Sequence, residues 1–116
     1  MANIPPHYSP MVSSGDLYLT SGQLPLLNRE TKEVAQGIKA QTLLVLEKVE
    51  TLLKAKGLDR NHIIKTTAFI TDINDWAAVN EVYAEFFKGH KPARSIIPVS
   101  DLHFGCLIEL EAIASK

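Results

Sequence analysis

Two residues of the chain, Arg94 and Glu109, have side chains suited to acting on a small carboxylic acid. The planar guanidinium of arginine matches both oxygens of a carboxylate, and a glutamate can hydrogen-bond a water molecule and accept its proton. Both residues lie in predicted strands, where a rigid backbone would fix their direction. Each also has an ordinary structural interpretation, because a strand arginine or glutamate often forms an ion pair. The pattern alone leaves both interpretations open.

Two further residues stand in unusual places. Asn80 lies in the middle of a predicted helix, beside its apolar stripe, where asparagine is disfavoured. Simple solvent exposure would also explain it. Tyr8 lies in a proline-rich N-terminal arm, and its ring could either line a site or fill a gap in the core. Neither position identifies a site by itself.

Other kinds of catalytic site find little support in the sequence. The four histidines and the single cysteine show no spacing typical of a metal site: His7, His62, His90, His103 and Cys106. No glycine-rich phosphate loop is present, and the pair Ser21-Gly22 lacks the second glycine of a nucleophile elbow. We therefore expect neither a metal site nor a serine nucleophile, and a buried apolar role for the cysteine.

Length and charge narrow the class of protein. A chain of 116 residues with a net charge of −1 and 46% hydrophobic residues predicts one globular domain, residues 1–116. No basic run exceeds two residues, which disfavours nucleic-acid binding. Apolar runs such as 43–46 fall far short of the about 20 residues that span a membrane. The N-terminus lacks a signal-peptide pattern, so we expect a cytoplasmic protein.

Periodicity predicts the elements that must position these side chains. In order they are an irregular arm over 1–10, a hairpin of strands 11–14 and 17–23, a loop over 24–30, a helix over 33–56, a strand over 62–71, a helix over 74–88, an edge strand over 94–99 and a last strand over 106–114. This order predicts an α+β domain in which both helices cover one face of a single mixed sheet.

The opposite, uncovered face of the sheet mixes apolar and charged residues. Side-chain alternation assigns to it Leu107, Glu109, Glu111 and Ile113 on the last strand, Arg94 and Ile96 on the edge strand, and Lys65, Thr67 and Phe69 on the middle strand, whose Ile64, Ala68 and Ile70 point the other way. A solvated face would be mostly polar. We therefore expect this face to be the interface of a symmetric oligomer.

Five separate motifs, in order and with matching gaps, resemble the RidA/YjgF family of enamine/imine deaminases. They are Tyr8-Ser9, Thr20-Ser21-Gly22-Gln23, Asp72-Ile73-Asn74-Asp75-Trp76 with Asn80, Tyr83, Phe86 and Phe87, Pro92-Ala93-Arg94-Ser95, and Glu109-Leu110-Glu111-Ala112-Ile113-Ala114. Each motif alone would be weak, but together they cover the whole chain.

The resemblance implies both a fold and a reaction. The fold would be chorismate-mutase-like, and three chains would form a homotrimer whose sheets build a barrel-like core with clefts between subunits. The reaction would be hydrolysis of 2-aminoacrylate, 2-iminopropionate and similar acids, which leak from pyridoxal-phosphate dehydratases, to 2-keto acids and ammonia. Neither a metal nor an organic cofactor would be needed.

The resemblance also assigns roles to individual residues. Arg94 matches the arginine that grips the substrate carboxylate, and Glu109 matches the glutamate that positions the attacking water. Four further residues match the family's cleft and its surroundings: Tyr8, Ser21, Gly22 and Asn80. Ile96 stands where many members have cysteine, so a backbone N–H remains there to bind a carboxylate oxygen but no thiol does.

Two other functions stay open at this point. The same clefts could hold a stable 2-keto acid as a signal, in a non-catalytic trimeric regulatory protein. Retention of Glu109 favours the enzyme, because carboxylate binding alone would not need it. Some relatives have been described as RNA-cleaving, and the net charge of −1 without a basic stripe weighs against that reading.

Overall fold

The computed structural model describes residues 4–116, which fold into two helices and seven strands. The elements are β1 (Met11–Ser14), β2 (Leu17–Thr20), β3 (Leu26–Asn28), β4 (Glu33–Val34), α1 (Ile38–Lys54), β5 (Ile63–Ile70), α2 (Trp76–Phe87), β6 (Ala93–Pro98) and β7 (Ile108–Ser115). Short 3-10 turns precede β5, α2 and β7.

Five of the strands form one mixed sheet in the order β1-β2-β7-β5-β6. The β5–β6 pair is parallel, with α2 as its crossover, and the other pairs are antiparallel. Strands β3 and β4 form a separate small hairpin. The predicted α+β class, with a mixed sheet and β6 as an edge strand, is therefore confirmed.

Both helices pack on the same face of this sheet. Alternate residues of β5 and β7 are buried, and they join the apolar stripes of the helices in one core: Val45, Leu46, Val49 and Leu53 of α1, Val79, Tyr83, Phe86 and Phe87 of α2, and Ala68, Ile70, Ile108, Leu110, Ala112 and Ala114 of the strands. The period of two along the strands leaves the other face open.

Helix α1 begins at Ile38, five residues later than the predicted start at position 33. Gly37 precedes it with φ 87°, a left-handed conformation that interrupts the helix on its N-terminal side. Before it, Glu33–Val34 pairs with β3 because the Asn28 side chain accepts two backbone N–H groups and closes the turn. Glu33 and Val34, which were predicted to begin the helix, thus belong to a hairpin.

The first residues of β5 also differ from the predicted alternation. The register between β5 and β7 shifts between Ile63 and Lys65. As a result Ile63 is fully buried and Ile64 is 47% exposed. The prediction that Ile64 points the same way as Ala68 is therefore wrong, since such an irregularity inverts the alternation locally.

The face that carries Arg94 differs from the prediction as well. In the parallel pair, Arg94 lies opposite Thr66 and Ile96 lies opposite Ala68. Cross-strand partners project to the same face, and both partners are fully buried beneath the helices. Arg94 and Ile96 are thus on the helix side, so their predicted place on the open face is wrong. Ile97, 41% exposed, takes the open-face position instead.

An ion pair between Arg60 and the buried Glu50 carboxylate fixes the two helices relative to β5. Arg60, just before β5, donates to both Glu50 carboxylate oxygens from Nη2 and Nε, at 2.7 and 2.9 Å. Its Nη1 donates to the Phe86 carbonyl oxygen at 2.8 Å, and its Cζ lies 3.8 Å from the centre of the Phe86 ring. One guanidinium therefore joins α1, α2 and the start of β5.

Arg60→Ala should lower the free energy of unfolding by about 2–3 kcal/mol, because it leaves a buried carboxylate unpaired. The Arg60 hydrogen bond holds the pKa of Glu50 below its ordinary 4.5. The stabilisation is therefore present above that value and lost as the pH falls through the lower folded pKa. Urea unfolding at pH 7 and at lower pH measures the loss of stability in Arg60→Ala and the pH dependence of the stabilisation. As a control, Lys39→Ala breaks an exposed ion pair with Glu81 and should lower the free energy of unfolding by less than about 0.5 kcal/mol. Equal losses in Arg60→Ala and Lys39→Ala would contradict the stabilising role of the Arg60–Glu50 pair.

Candidate functional site

Arg94 projects from the edge strand β6 towards α2. Its Nη1 donates to Oδ1 of Asn80 at 3.0 Å. Its Cζ lies 4.9 Å from the centre of the Tyr83 ring and 5.2 Å from that of Trp76. Within residues 4–116 it forms no ion pair. The guanidinium is thus oriented by an amide and two rings and still lacks an anionic partner.

The residues that hold Arg94 come from successive turns of α2. Tyr83 is anchored below, where its hydroxyl donates to Oγ1 of Thr66 at 3.1 Å, and burial raises its pKa to about 12. Trp76 is 41% exposed. Asn80 is exposed, which agrees with the interpretation of simple solvent exposure, and its amide also orients the Arg94 guanidinium.

Glu109 lies on β7 and projects from the open face of the sheet, opposite Phe69 of β5. It is half-buried and forms no ion pair within the part of the chain that the structure describes. Burial is the main cause that raises its pKa above 4.5; nearby Glu111 adds to the rise and His103 opposes it. A carboxylate with a raised pKa and open hydrogen-bonding capacity suits proton transfer.

Gly22 makes room for the Glu109 carboxylate. A Cβ atom on Gly22 would lie 2.0 Å from Oε2 of Glu109, so any side chain there would displace the carboxylate. The two residues come together because the chain after β2 stays beside β7, where Gln23 and Leu110 form an isolated bridge. This contact joins residues far apart in the sequence.

Gly22→Ala should lower by about tenfold the turnover number of the deamination that the family resemblance implies, because the added methyl group moves the carboxylate that would accept a proton. The melting temperature should change little, since the clash is with the end of a flexible side chain. Steady-state kinetics and thermal unfolding measure the two effects. Gly89→Ala is the matched control, because a Cβ there would meet nothing within 4 Å. Full activity in Gly22→Ala would show that the contact has no role in turnover.

Ser21 fastens the N-terminal arm to the sheet. Its Oγ donates to the Ser9 carbonyl oxygen at 2.6 Å, and its backbone N–H donates to the Pro10 carbonyl oxygen at 2.8 Å. The preceding Tyr8 is 58% exposed and lines a cavity that Gly22 also lines. Tyr8 is therefore a wall residue and does not plug the core, and Ser21 holds the arm that presents it.

The predicted site residues form two groups on opposite faces of the sheet. Arg94 and Asn80 form a group on the helix side, which the neighbouring aromatic rings complete. Glu109 projects from the open face with Gly22 against its carboxylate, and Ser21 and Tyr8 lie on the segments that adjoin Gly22. Ile96 is half-buried against the core. A single chain therefore brings the predicted residues together only in part.

The structure contains no obvious metal centre in the part of the chain that it describes. Among residues 4–116, no three His, Cys, Asp or Glu side chains gather in a group that could hold a metal ion. Cys106 is 1% exposed, in agreement with its predicted buried role. Neither of the two helices in this part is long and apolar enough to span a membrane.

The chain is similar to known proteins over most of its length. The sequence model of a family described as Endoribonuclease L-PSP matches residues 2–116. The chain is 42% identical over 108 residues to the 2-iminobutanoate/2-iminopropanoate deaminase of Escherichia coli (strain K12). The matched region covers 90% of this chain and 84% of that protein. The crystal structure of the YjgF gene product from E. coli is similar with a TM-score of 0.88 at 40% identity, over 96% of this chain and 89% of that one. E. coli TdcF with bound serine is similar with a TM-score of 0.87 at 41% identity, over 98% and 91%.

Proposed function

The chain belongs to the RidA/YjgF family, and we propose that within it the chain is a 2-iminobutanoate/2-iminopropanoate deaminase. The proposed reaction is hydrolysis of 2-aminoacrylate, 2-iminopropionate and related acids to 2-keto acids and ammonia. The relative with that activity in its name is 42% identical, and the TdcF structure holds serine, a small amino acid. One observation carries the proposal: an oriented arginine without an anionic partner occurs in the same chain as a half-buried glutamate with a raised pKa.

The placement of these two residues supports a site shared between subunits. Arg94 and Glu109 project from opposite faces of one sheet, so a single chain cannot apply both to one small substrate. We propose a homotrimer with a barrel-like core, in which the edge that carries Arg94 in one subunit meets the open face of the next. Each of the three clefts would then receive Arg94 from one subunit and Glu109 from another.

The open face has the composition that such an assembly needs. Its exposed apolar side chains extend across the sheet: Val12, Leu17, Leu19 and Ile97 are between 37% and 56% exposed. Half-buried Phe69, Leu107 and Ile113 lie between them. An apolar surface of this extent on a small domain is typical of a subunit interface.

In the proposed mechanism Arg94 binds the substrate carboxylate with two parallel N–H donors, which fixes the plane of the adjacent C=N group. Asn80 keeps the guanidinium in place. The backbone N–H of Ile96, on the same edge strand, is proposed to donate a further hydrogen bond to the carboxylate. Tyr8 and Ser21, with its neighbour Gly22, would line the opposite wall.

Glu109 orients the attacking water and accepts one of its protons as the oxygen bonds to the imine carbon. The C=N π electrons move to nitrogen, which takes up a proton, giving a tetrahedral amino alcohol. Glu109 then passes its proton to the nitrogen, the C–N bond breaks, and ammonia leaves as the C=O bond forms and the hydroxyl proton is released. One imine and one water thus give one keto acid and one ammonia.

Freshly generated 2-iminopropionate provides the direct test. Ammonia and pyruvate should appear faster with the protein than in a protein-free control, in proportion to protein concentration. The alternative function is a non-catalytic trimeric protein that binds 2-keto acids. That function would give calorimetric binding of 2-oxobutanoate without any acceleration of ammonia release.

Light scattering at micromolar concentration should give about three times the chain mass of 12.8 kDa. Leu19→Lys, which puts a charge into the apolar open face, should shift the mass towards that of one chain and abolish deamination. Leu43→Lys is the matched control, because Leu43 is similarly exposed but lies on α1, away from the open face. A monomeric protein with full activity would contradict the shared cleft.

A further inference from the structure

The cavity that Tyr8 and Gly22 line has a volume of about 600 Å³ and carries an excess of positive charge. Its wall includes three cationic side chains, Arg29, Lys32 and Lys48, and one carboxylate, Glu47. None of the three cations forms an ion pair within residues 4–116. A concave surface with unpaired cations concentrates anions, because its low-dielectric walls focus the field.

Lys48 differs from the other two cations in being partly buried. Its ammonium donates to the Leu24 carbonyl oxygen at 2.9 Å, a neutral partner. Burial is the main cause that lowers the pKa of Lys48, and the positive charge of Arg29 lowers it further. Two cations therefore stand close enough to repel each other, and an anion between them would relieve the repulsion.

The mouth of the cavity has an unusual backbone. Lys32 and Phe104, both non-glycine residues, have left-handed φ angles of 63° and 61°. The Lys32 ammonium lies 5.4 Å from the centre of the Phe104 ring, and the His103 ring stacks on that ring at 3.7 Å. Such conformations are unfavourable for residues other than glycine and concentrate at binding sites.

The cavity adjoins Glu109 at Gly22. Gly22 lines the cavity and also lies against the Glu109 carboxylate. His103 lines it too, and its charge opposes the rise in the pKa of Glu109. A substrate whose reacting carbon lies at Glu109 could therefore extend its side chain towards Lys48 and Arg29.

We propose that this cavity binds the distal carboxylate of a 2-imino dicarboxylic acid, so that substrates with an anionic side chain are preferred over those with an alkyl side chain. This inference rests on the proposed function and names its substrate class. The reaction at the imine carbon is unchanged, and the far carboxylate pairs with Lys48 and Arg29. Two charge-assisted contacts of this kind should improve affinity by about tenfold or more.

Calorimetry on the full chain compares 2-oxoglutarate with 2-oxobutanoate, which share the keto acid end but differ in the distal carboxylate. We expect 2-oxoglutarate to bind at least tenfold more tightly at low ionic strength. Lys48→Met should bring the ratio of the two affinities close to one. Lys48→Met also removes the Lys48 hydrogen bond, and a disturbed fold would spoil the test. Arg29→Gln provides the same test in that case, because Arg29 is exposed and its substitution should leave the fold intact. Lys56→Met removes an exposed charge outside the cavity and should leave the ratio as it is.

The outcomes separate the inference from the function on which it rests. Equal affinities in the unaltered protein, or a preference that survives both cavity variants, would overturn the inference. Ammonia release from 2-iminobutyrate would still support the proposed function in either case. If that assay shows no acceleration and neither keto acid binds, the proposed function and the inference fail together.

Discussion

Arg94→Ala is expected to abolish deamination of 2-iminopropionate and to weaken 2-oxobutanoate binding by about 100-fold. A charge-assisted hydrogen bond contributes about 1.5–3 kcal/mol, and the guanidinium offers the carboxylate two of them. Calorimetry measures the affinity, and ammonia release measures turnover. The fold should persist, because Arg94 lies on an edge strand and the one side chain within residues 4–116 to which it hydrogen-bonds, Asn80, is exposed.

Arg94→Lys separates charge from geometry. Lysine keeps the positive charge but lacks the planar fork and the stacking against Tyr83 and Trp76, so it should recover little of the lost activity. Asn80→Ala should act more mildly, by raising KM severalfold while kcat stays close to that of the unaltered protein, because it loosens the guanidinium without removing it. Normal 2-oxobutanoate binding in Arg94→Ala would remove Arg94 from the site.

The place of Arg94 shows what a single strand can predict. Alternation correctly grouped Arg94 with Ile96, since residues two apart in a strand share a face. It could not say which face, because that depends on the register between β5 and β6, which brings Arg94 opposite the buried Thr66. The same limit applies to Ile64, whose direction depends on a local irregularity between two strands.

The Glu109 group shows a second limit. The strand, its alternation and the open face were predictable, because they are local properties of β7. The close approach of Gly22 to Glu109 was not predictable in this way, because the two residues lie 87 positions apart in the sequence. Only the resemblance to the RidA/YjgF family placed Gly22 and Glu109 in one site.

The cationic cavity was not predicted at all. Arg29 falls in the predicted loop over 24–30 and Lys32 just after it, and Lys48 lies within the predicted helix over 33–56, where a lysine is ordinary. Their convergence depends on the β3–β4 hairpin and on a left-handed backbone at Lys32, which its residue type does not favour. Residue types alone carry no signal for either feature.

Glu109→Gln should lower kcat by about 100-fold while the affinity for 2-oxobutanoate changes less than about threefold. Glutamine keeps the size and most of the hydrogen-bonding capacity of the side chain, but it cannot accept a proton, and a positioned base contributes about 10²–10⁴ to the rate. Stopped assays of ammonia release and calorimetry on the same preparations measure the two quantities. A variant with full activity would leave Glu109 a structural role only.

The pH profile gives Glu109 a signature that a structural role would not produce. Burial raises its pKa, so the acid limb of kcat/KM in the unaltered protein should lie above the ordinary 4.5 of a glutamate. Activity should fall as the pH drops through that raised value, because the protonated carboxyl cannot accept a proton. Glu111→Gln is the matched control: it removes a nearby negative charge that raises this pKa, so it should keep activity and move the acid limb to lower pH. An acid limb that survives in Glu109→Gln, or that ignores Glu111→Gln, would assign the titration to another group.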